Sequence, residues 1–295
     1  MKILLTNNHL QHLMGSETFT HTLAKAAIDY GAEVYLHTFF AGQVSKRIFA
    51  LGVKPAKMTR YNLVLANHNS CIKHCHNMGW GPVIQTCHGK VPQLEQPSPL
   101  AVKYVAITKE VQQHIMNLTN REDVQIIYNM IDTDRFTLQN PVNKKPKWAL
   151  SLSKSLDFNK ELETELKRHG ITLFYAHYSA APIWDIEKLI NDVDFVISLG
   201  RGVMEAMACG RQSMIIDRRA YQEQMADGML TPSNVNQLIE TNFSGRYNKI
   251  KKPLPELIDE MLADYSADDS EPLRNWALKE LNYRTQFEKY LKILP

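Results

Sequence analysis

No stretch of this chain stays apolar for the roughly 20 residues that a membrane-crossing helix needs. Cysteine is scarce, four in 295 residues, and shows no framework spacing; this excludes a disulfide-stapled scaffold and fits a reducing, cytoplasmic compartment. Net charge is nearly absent, +3 at pH 7, so nothing demands a nucleic-acid or anionic-membrane partner. No solenoid repeat recurs at a period of about 20–50 residues. Walker loops, nucleophile elbows and zinc-protease helices are missing too. The start, Met1-Lys2-Ile3-Leu4-Leu5-Thr6, has its apolar run cut off at Asn7 and reads as a first β-strand rather than a signal peptide.

What is present is an alternation of short apolar runs and amphipathic helices in a chain long enough for about two domains. Strands are expected at Lys2–Thr6, Glu33–Phe39, Asn62–Ala66, Pro82–Thr86, Val102–Ile107 and Val124–Tyr128. Helices are expected from Ser16 to Tyr30, from Val44 to Leu51 and from a Thr108 cap to Met116. The proline-containing stretch Asn140–Lys147 reads as a linker, after which the alternation restarts. Strands Trp148–Leu152 and Thr172–Ala176 alternate with helices Lys160–Arg168 and Ile183–Asn191. Helices near Asn234–Glu240 and Pro255–Tyr265 follow, and one final helix starts at Asp269 or Ser270 and carries Trp276 and Tyr290. The pattern implies an α/β chain with parallel sheets covered on both faces.

One stretch stands out, from Asp194 to Gly210. An apolar strand, Phe195–Leu199, runs into Gly200-Arg201-Gly202 and then a short helix, Val203–Cys209, stopped by Gly210; a second apolar run ends at Asp217. Such a turn lies at the carboxyl end of its strand, where open α/β sheets bind ligands. Its helix start offers N–H groups to an anion, the glycines allow close approach, and Arg201 offers a fork to phosphate. Glu205 is placed to reach hydroxyls beside that phosphate. An ordinary βαβ turn with a solvated Arg explains the same residues, because short glycine motifs recur by chance.

Other candidates are weaker alone. His88 ends an apolar strand before Gly89, where an imidazole meets either a ligand or its own loop. Lys154 and Lys160 follow the first strand of the second half and could neutralise a diphosphate. His68, Cys71, His74, Cys75 and His76 are dense enough to suggest zinc, but lack a fixed fourth ligand; a buried Cys pair with surface His is preferred, and no metal is expected. The basic stretch Arg246–Lys252 reads as a solvated loop before it reads as a patch for anionic lipid or nucleic acid.

Taken in order, these pieces resemble a GT-B glycosyltransferase, similar to the retaining family four. The segments that carry the likeness are Gly15-Ser16-Glu17, Val83–Gly89 ending in His-Gly, Val105–Thr108, Ile126–Phe136, Glu205–Gly210 and Gly228-Met229-Leu230 with Pro232. The resemblance implies two Rossmann-like domains with a cleft between them. These are residues 1–142 plus a C-terminal helix of about 275–295 that crosses back, and residues 143–274 for the nucleotide-sugar. It implies a retaining enzyme that moves a sugar from a nucleoside-diphosphate donor, UDP-linked by preference, to a hydroxyl acceptor, with no cofactor. Gly15, Lys154, Gly200, Gly202, Val203, Met204 and Glu205 would bind the donor. Ser16, Glu17 and His88 would line the acceptor side, and His88, Arg201 and Glu205 would be catalytic. The acceptor would be a surface or lipid-linked glycan, which places the chain in the cytoplasm or peripherally at a membrane. A DNA-base glycosyltransferase of viral type and a nucleotide-binding protein without transfer activity are the alternatives. The chain departs from the family at Ile197, eight positions before Glu205, where a first glutamate is usual.

Overall fold

The computed structural model describes residues 1–175, 183–219 and 224–294. It divides into two units, Met1–Met130 with Asn282–Pro295, and Ile131–Leu281.

Unit 1 runs β1 (Lys2–Leu10), α1 (Gly15–Asp29), β2 (Glu33–Ala41), α2 (Gln43–Ala50), β3 (Lys54–Pro55), β4 (Leu63–Ala66), α3 (Asn69–Asn77), β5 (Val83–Cys87), β6 (Lys103–Ala106), α4 (Lys109–Thr119) and β7 (Gln125–Ile126). Its seven strands form a parallel sheet in the order β3-β2-β1-β4-β5-β6-β7. The central strands are apolar on both faces, as a doubly covered sheet requires: Ile3, Leu4, Leu5, Leu63, Val64 and Leu65 are all buried. Thr108 caps α4 as expected, its Oγ1 accepting from Val111 N–H at 3.2 Å. Ser16 does not cap α1. The cap position is Met14, and Ser16 donates to Glu17 Oε2 at 2.8 Å. The first strand is longer than its apolar run, because pairing with β2 continues through His9↔Phe40 and Leu10↔Ala41.

Unit 2 runs β8 (Trp148–Ser151), α5 (Leu156–Arg168), β9 (Thr172–Tyr175), α6 (Ile186–Asn191), β10 (Phe195–Ile197), α7 (Arg201–Ala208), β11 (Gln212–Asp217), β12 (Met225–Met229), α8 (Val235–Leu238), α9 (Leu254–Ala263) and α10 (Ser270–Glu280). Ala176, expected to end a strand, lies outside the described residues. The sheet order is β12-β11-β10-β8-β9, parallel except for the antiparallel edge strand β12. Gly228 and Met229, quoted for the family likeness, lie on that edge strand. Its alternation is interrupted by Asp227, a buried carboxylate that accepts the amides of Gly245, Tyr247 and Asn248 at 2.8–2.9 Å. The basic stretch is therefore anchored from beneath, and its Lys252 pairs with Glu260 at 2.6 Å.

The proline-rich stretch has no regular structure but is tied down. Asp194 accepts Asn143 N–H and Nδ2 through Oδ1, and the amides of Lys147 and Trp148 through Oδ2. The single final helix expected from periodicity is two. Asn282 interrupts it and caps α11 (Tyr283–Lys292), accepting from Arg284 and Thr285 N–H. Trp276 thus belongs to unit 2, where Nε1 donates to Asn236 Oδ1 at 2.8 Å; Tyr290 belongs to unit 1, bonded to Thr86 Oγ1 at 2.9 Å.

Candidate functional site

Each sheet reverses its direction of growth once, and the strand ends at such a switch point are where open α/β sheets hold ligands. In unit 2 the switch lies between β8 and β10. Two expected segments meet there. Lys154 lies exposed just beyond β8, and the turn Ser198–Gly202 follows β10.

Gly200 is the N-cap of α7, with φ +55° and ψ −124°, a conformation that favours glycine. A Cβ there would also lie 3.2 Å from Asn242 Nδ2. Gly202 serves packing inside the unit: a Cβ would sit 2.2 Å from Ser198 Oγ and 2.9 Å from Leu152 Cδ1. The amide of Gly202 donates to Leu199 O at 3.2 Å, and those of Val203 and Met204 donate to Gly200 O at 3.1 and 3.4 Å. The amides of Gly202, Val203 and Met204 are thus engaged within the turn. The turn closes on itself, and the Val203 and Met204 side chains are fully buried.

Arg201 Nε donates to Glu205 Oε1 at 2.8 Å, one helical turn on, with the two side chains 10% and 13% exposed. Burial pushes the Glu205 carboxyl up and the Arg201 guanidinium down, while each partner opposes the other's shift. Arg135 also favours the charged form of Glu205. Arg135 in turn forks onto Glu187, Nη2 to Oε2 at 2.6 Å and Nε to Oε2 at 2.9 Å, and donates to the Trp184 carbonyl. Glu187–Arg135 and Arg201–Glu205 are therefore two ion pairs within electrostatic reach of one another. Sequence reasoning missed Arg135 and Glu187 as members, although Arg135 lay inside a quoted motif. Glu187 is 52 residues further on, and no local spacing links them. Ile197, in place of a carboxylate, is buried in β10.

In unit 1 the switch lies between β1 and β4. Ser16, Glu17 and His88, expected on the acceptor side, and Gly15, expected to bind the donor, all fall at the strands' carboxyl ends or at the start of α1. A Cβ on Gly15 would meet nothing within 4 Å, so the loop is open there. Glu17 is only 1% exposed, with His9 Nε2 at 3.5 Å from its Oε1. His9 stacks on His68, ring centroids 5.1 Å apart. His68 Nδ1 accepts Asn8 N–H at 3.1 Å, and burial holds its pKa down at about 4, so the ring is neutral. His88 Nε2 lies 3.1 Å from Asn67 Oδ1, with Phe19 edge-on to its ring. Glu95, on the short turn Gln93–Glu95, reaches over Gly89, where a Cβ would be 2.7 Å from its Oε2. Burial and the nearby Glu17 raise the Glu95 carboxyl to about 7. Asn67, Glu95 and His9 carried no signal in the sequence beyond their residue type. The Cys71 and Cys75 thiols are buried and pushed up to about 12, and His74 stacks on His37 at 4.6 Å.

No protein-family model and no curated protein sequence matches the chain. Solved structures do. HepE of Anabaena, in complex with UDP and glucose, superposes with a TM-score of 0.64 at 15% identity, over 100% of this chain and 99% of that one. The apo form of the lipopolysaccharide outer core galactosyltransferase WaaB gives 0.61 at 12%, over 99% of each chain. The fold is GT-B. A proposed UDP-N-acetylglucosamine 2-epimerase from Listeria monocytogenes gives 0.57 at 11%, over 98% of this chain and 94% of that one. The scaffold is thus shared by proteins described by different reactions, and the reaction has to be argued from this chain's own residues. Among the described residues no helix is long and apolar enough to cross a membrane.

Proposed function

We propose that this chain is a glycosyltransferase that moves a sugar from a nucleoside-diphosphate donor, UDP-linked, to a hydroxyl of a surface or lipid-linked glycan. The observation that carries the reading is the buried Arg201–Glu205 pair at the switch point of unit 2. A nucleoside diphosphate brings a replacement partner for each member: phosphate oxygens for the guanidinium and vicinal ribose hydroxyls for the carboxylate. Lys154 supplies a second cation. Negative charge develops on the departing diphosphate, so fixed cations there lower the barrier without a metal. A neighbouring structure that holds UDP and glucose supports the donor class.

With Ile197 where a first carboxylate is usual, a two-step path through a glycosyl-enzyme is not favoured. We therefore propose front-face transfer with retention, the leaving phosphate taking the acceptor proton. His88, Ser16 and Glu17 would face sugar and acceptor, with Gly15 leaving room for them. A lipid-linked acceptor would bring the chain to a membrane surface from the cytoplasmic side.

Calorimetric titration with UDP, GDP and ADP tests the donor assignment. UDP should bind, and Glu205→Gln should weaken it strongly; UDP affinity unchanged in that variant contradicts the ribose role. Proton NMR of the product's anomeric centre tests retention. A nucleotide-binding protein without transfer is the second reading, favoured by Ile197. It predicts UDP binding with no slow hydrolysis of UDP-sugars.

A further inference from the structure

We propose that Asn67, oriented by Thr20, is a positioning residue that fixes His88 as the Nε2–H tautomer and so leaves Nδ1 as its lone-pair atom. The direction of every bond in the chain can be worked out. Thr20 Oγ1 donates its single proton to Ser16 O at 2.7 Å, so it accepts from whatever else approaches. Asn67 Nδ2 approaches it at 2.8 Å and also faces the Thr6 carbonyl at 3.4 Å. A carbonyl only accepts, so the amide nitrogen must point that way. Asn7 Nδ2 donates to the same hydroxyl at 2.9 Å and completes its lone pairs. Asn67 Oδ1 is thereby turned toward His88 Nε2, 3.1 Å away, and it can only accept. The proton of a neutral His88 ring then sits on Nε2 and the lone pair on Nδ1.

Thr20, Asn67 and Asn7 are fully buried, so this orientation is held by groups that have no water to exchange with. On the glycosyltransferase reading, on which the role but not the tautomer rests, the ring would meet the sugar or acceptor hydroxyls in one fixed protonation pattern. The residues come from β1, α1 and the ends of β4 and β5, far apart in sequence, which is why no motif announces them.

Nitrogen-15 NMR of the full chain, labelled at histidine, reads the tautomer with no substrate present. His88 should show its proton on Nε2 alone at pH 8. Asn67→Leu should populate both tautomers. Asn67→Asp should keep the proton on Nε2 and raise the His88 titration midpoint by about one to three pH units, because a carboxylate then faces the ring. If Asn67→Leu does not fold, Thr20→Val carries the same test, since it frees the Asn67 amide to flip. A proton on Nδ1 in the parent protein, or a midpoint unmoved in Asn67→Asp, overturns the proposal. UDP binding, which belongs to unit 2, should stay within two-fold in all three variants. Loss of UDP binding in the parent protein would count against the functional reading while leaving the tautomer result standing.

Discussion

The two switch points place comparable numbers of polar groups at the carboxyl ends of comparable sheets, yet hold them differently. In unit 1, Thr20, Asn67 and His88 are joined by neutral hydrogen bonds whose directions are fixed link by link. In unit 2, Arg201 and Glu205 neutralise one another in a buried ion pair, and burial works against the charge on both. A neutral network with every partner satisfied orients a side chain and tolerates a neutral guest. An ion pair held against desolvation is responsive to a charged guest that offers each half a new partner. On the proposed function, this difference suits unit 2 to a diphosphate with its diol and unit 1 to hydroxyl groups.

The comparison can be broken most forcefully at the ion pair. Glu205→Ala leaves a buried guanidinium with a lost partner and should cost about 3–5 kcal/mol in urea unfolding. The double replacement Arg201→Leu with Glu205→Leu should cost much less than the sum of the two single changes, because no charge is then stranded. Additive costs would mean the pair is not coupled. Gly200→Ala comes next. Its φ of +55° and the nearby Asn242 amide should make the change cost about 1–3 kcal/mol in the same assay. In unit 1, Thr20→Val removes the acceptor shared by the buried Asn7 and Asn67 amides and should cost about 1–3 kcal/mol.

The pH dependence separates the groups further. Glu95 has its pKa raised from 4.5 to about 7, so the folded protein binds more protons than the unfolded chain between those values. Its contribution to stability should therefore fall as pH rises through that window, and Glu95→Gln should flatten the fall in thermal melts. His37 and His68 act in the opposite sense. Both are held down at about 4 from 6.5, mainly by burial, so the stability they confer is lost as pH falls through that interval. A melt series on Glu95→Gln that still declines toward pH 7 would show that Glu95 does not sit in this cluster.

Much of the framework was legible because apolar period and caps are local. The buried strands at Leu63–Ala66 and Val83–Cys87, the Thr108 cap and the Gly200 turn all follow from neighbouring residues. The errors came where pairing decides. β12 is an edge strand with a buried Asp227 inside it, so its composition reads as loop until the amides that satisfy that carboxylate are seen. The helical spacing of Leu273, Trp276 and Tyr290 runs past Asn282 without a break, and only the cap reveals two helices in two units. For the candidate sites, residue type singles out Arg201, Glu205, Glu17 and His88, but type does not reveal orientation. That Arg201 faces Glu205, that Arg135 faces Glu187, and that Asn67 faces His88 are products of the fold.

The central claim is that the Arg201–Glu205 pair opens to a nucleoside diphosphate. Calorimetry of UDP and uridine binding to the parent chain, Arg201→Gln and Glu205→Gln addresses it most directly. The account predicts that UDP binds the parent chain far more tightly than uridine, that Arg201→Gln removes most of the advantage of the diphosphate, and that Glu205→Gln weakens both ligands. Equal affinity for UDP and uridine in the parent chain, or UDP binding untouched by either substitution, would contradict it.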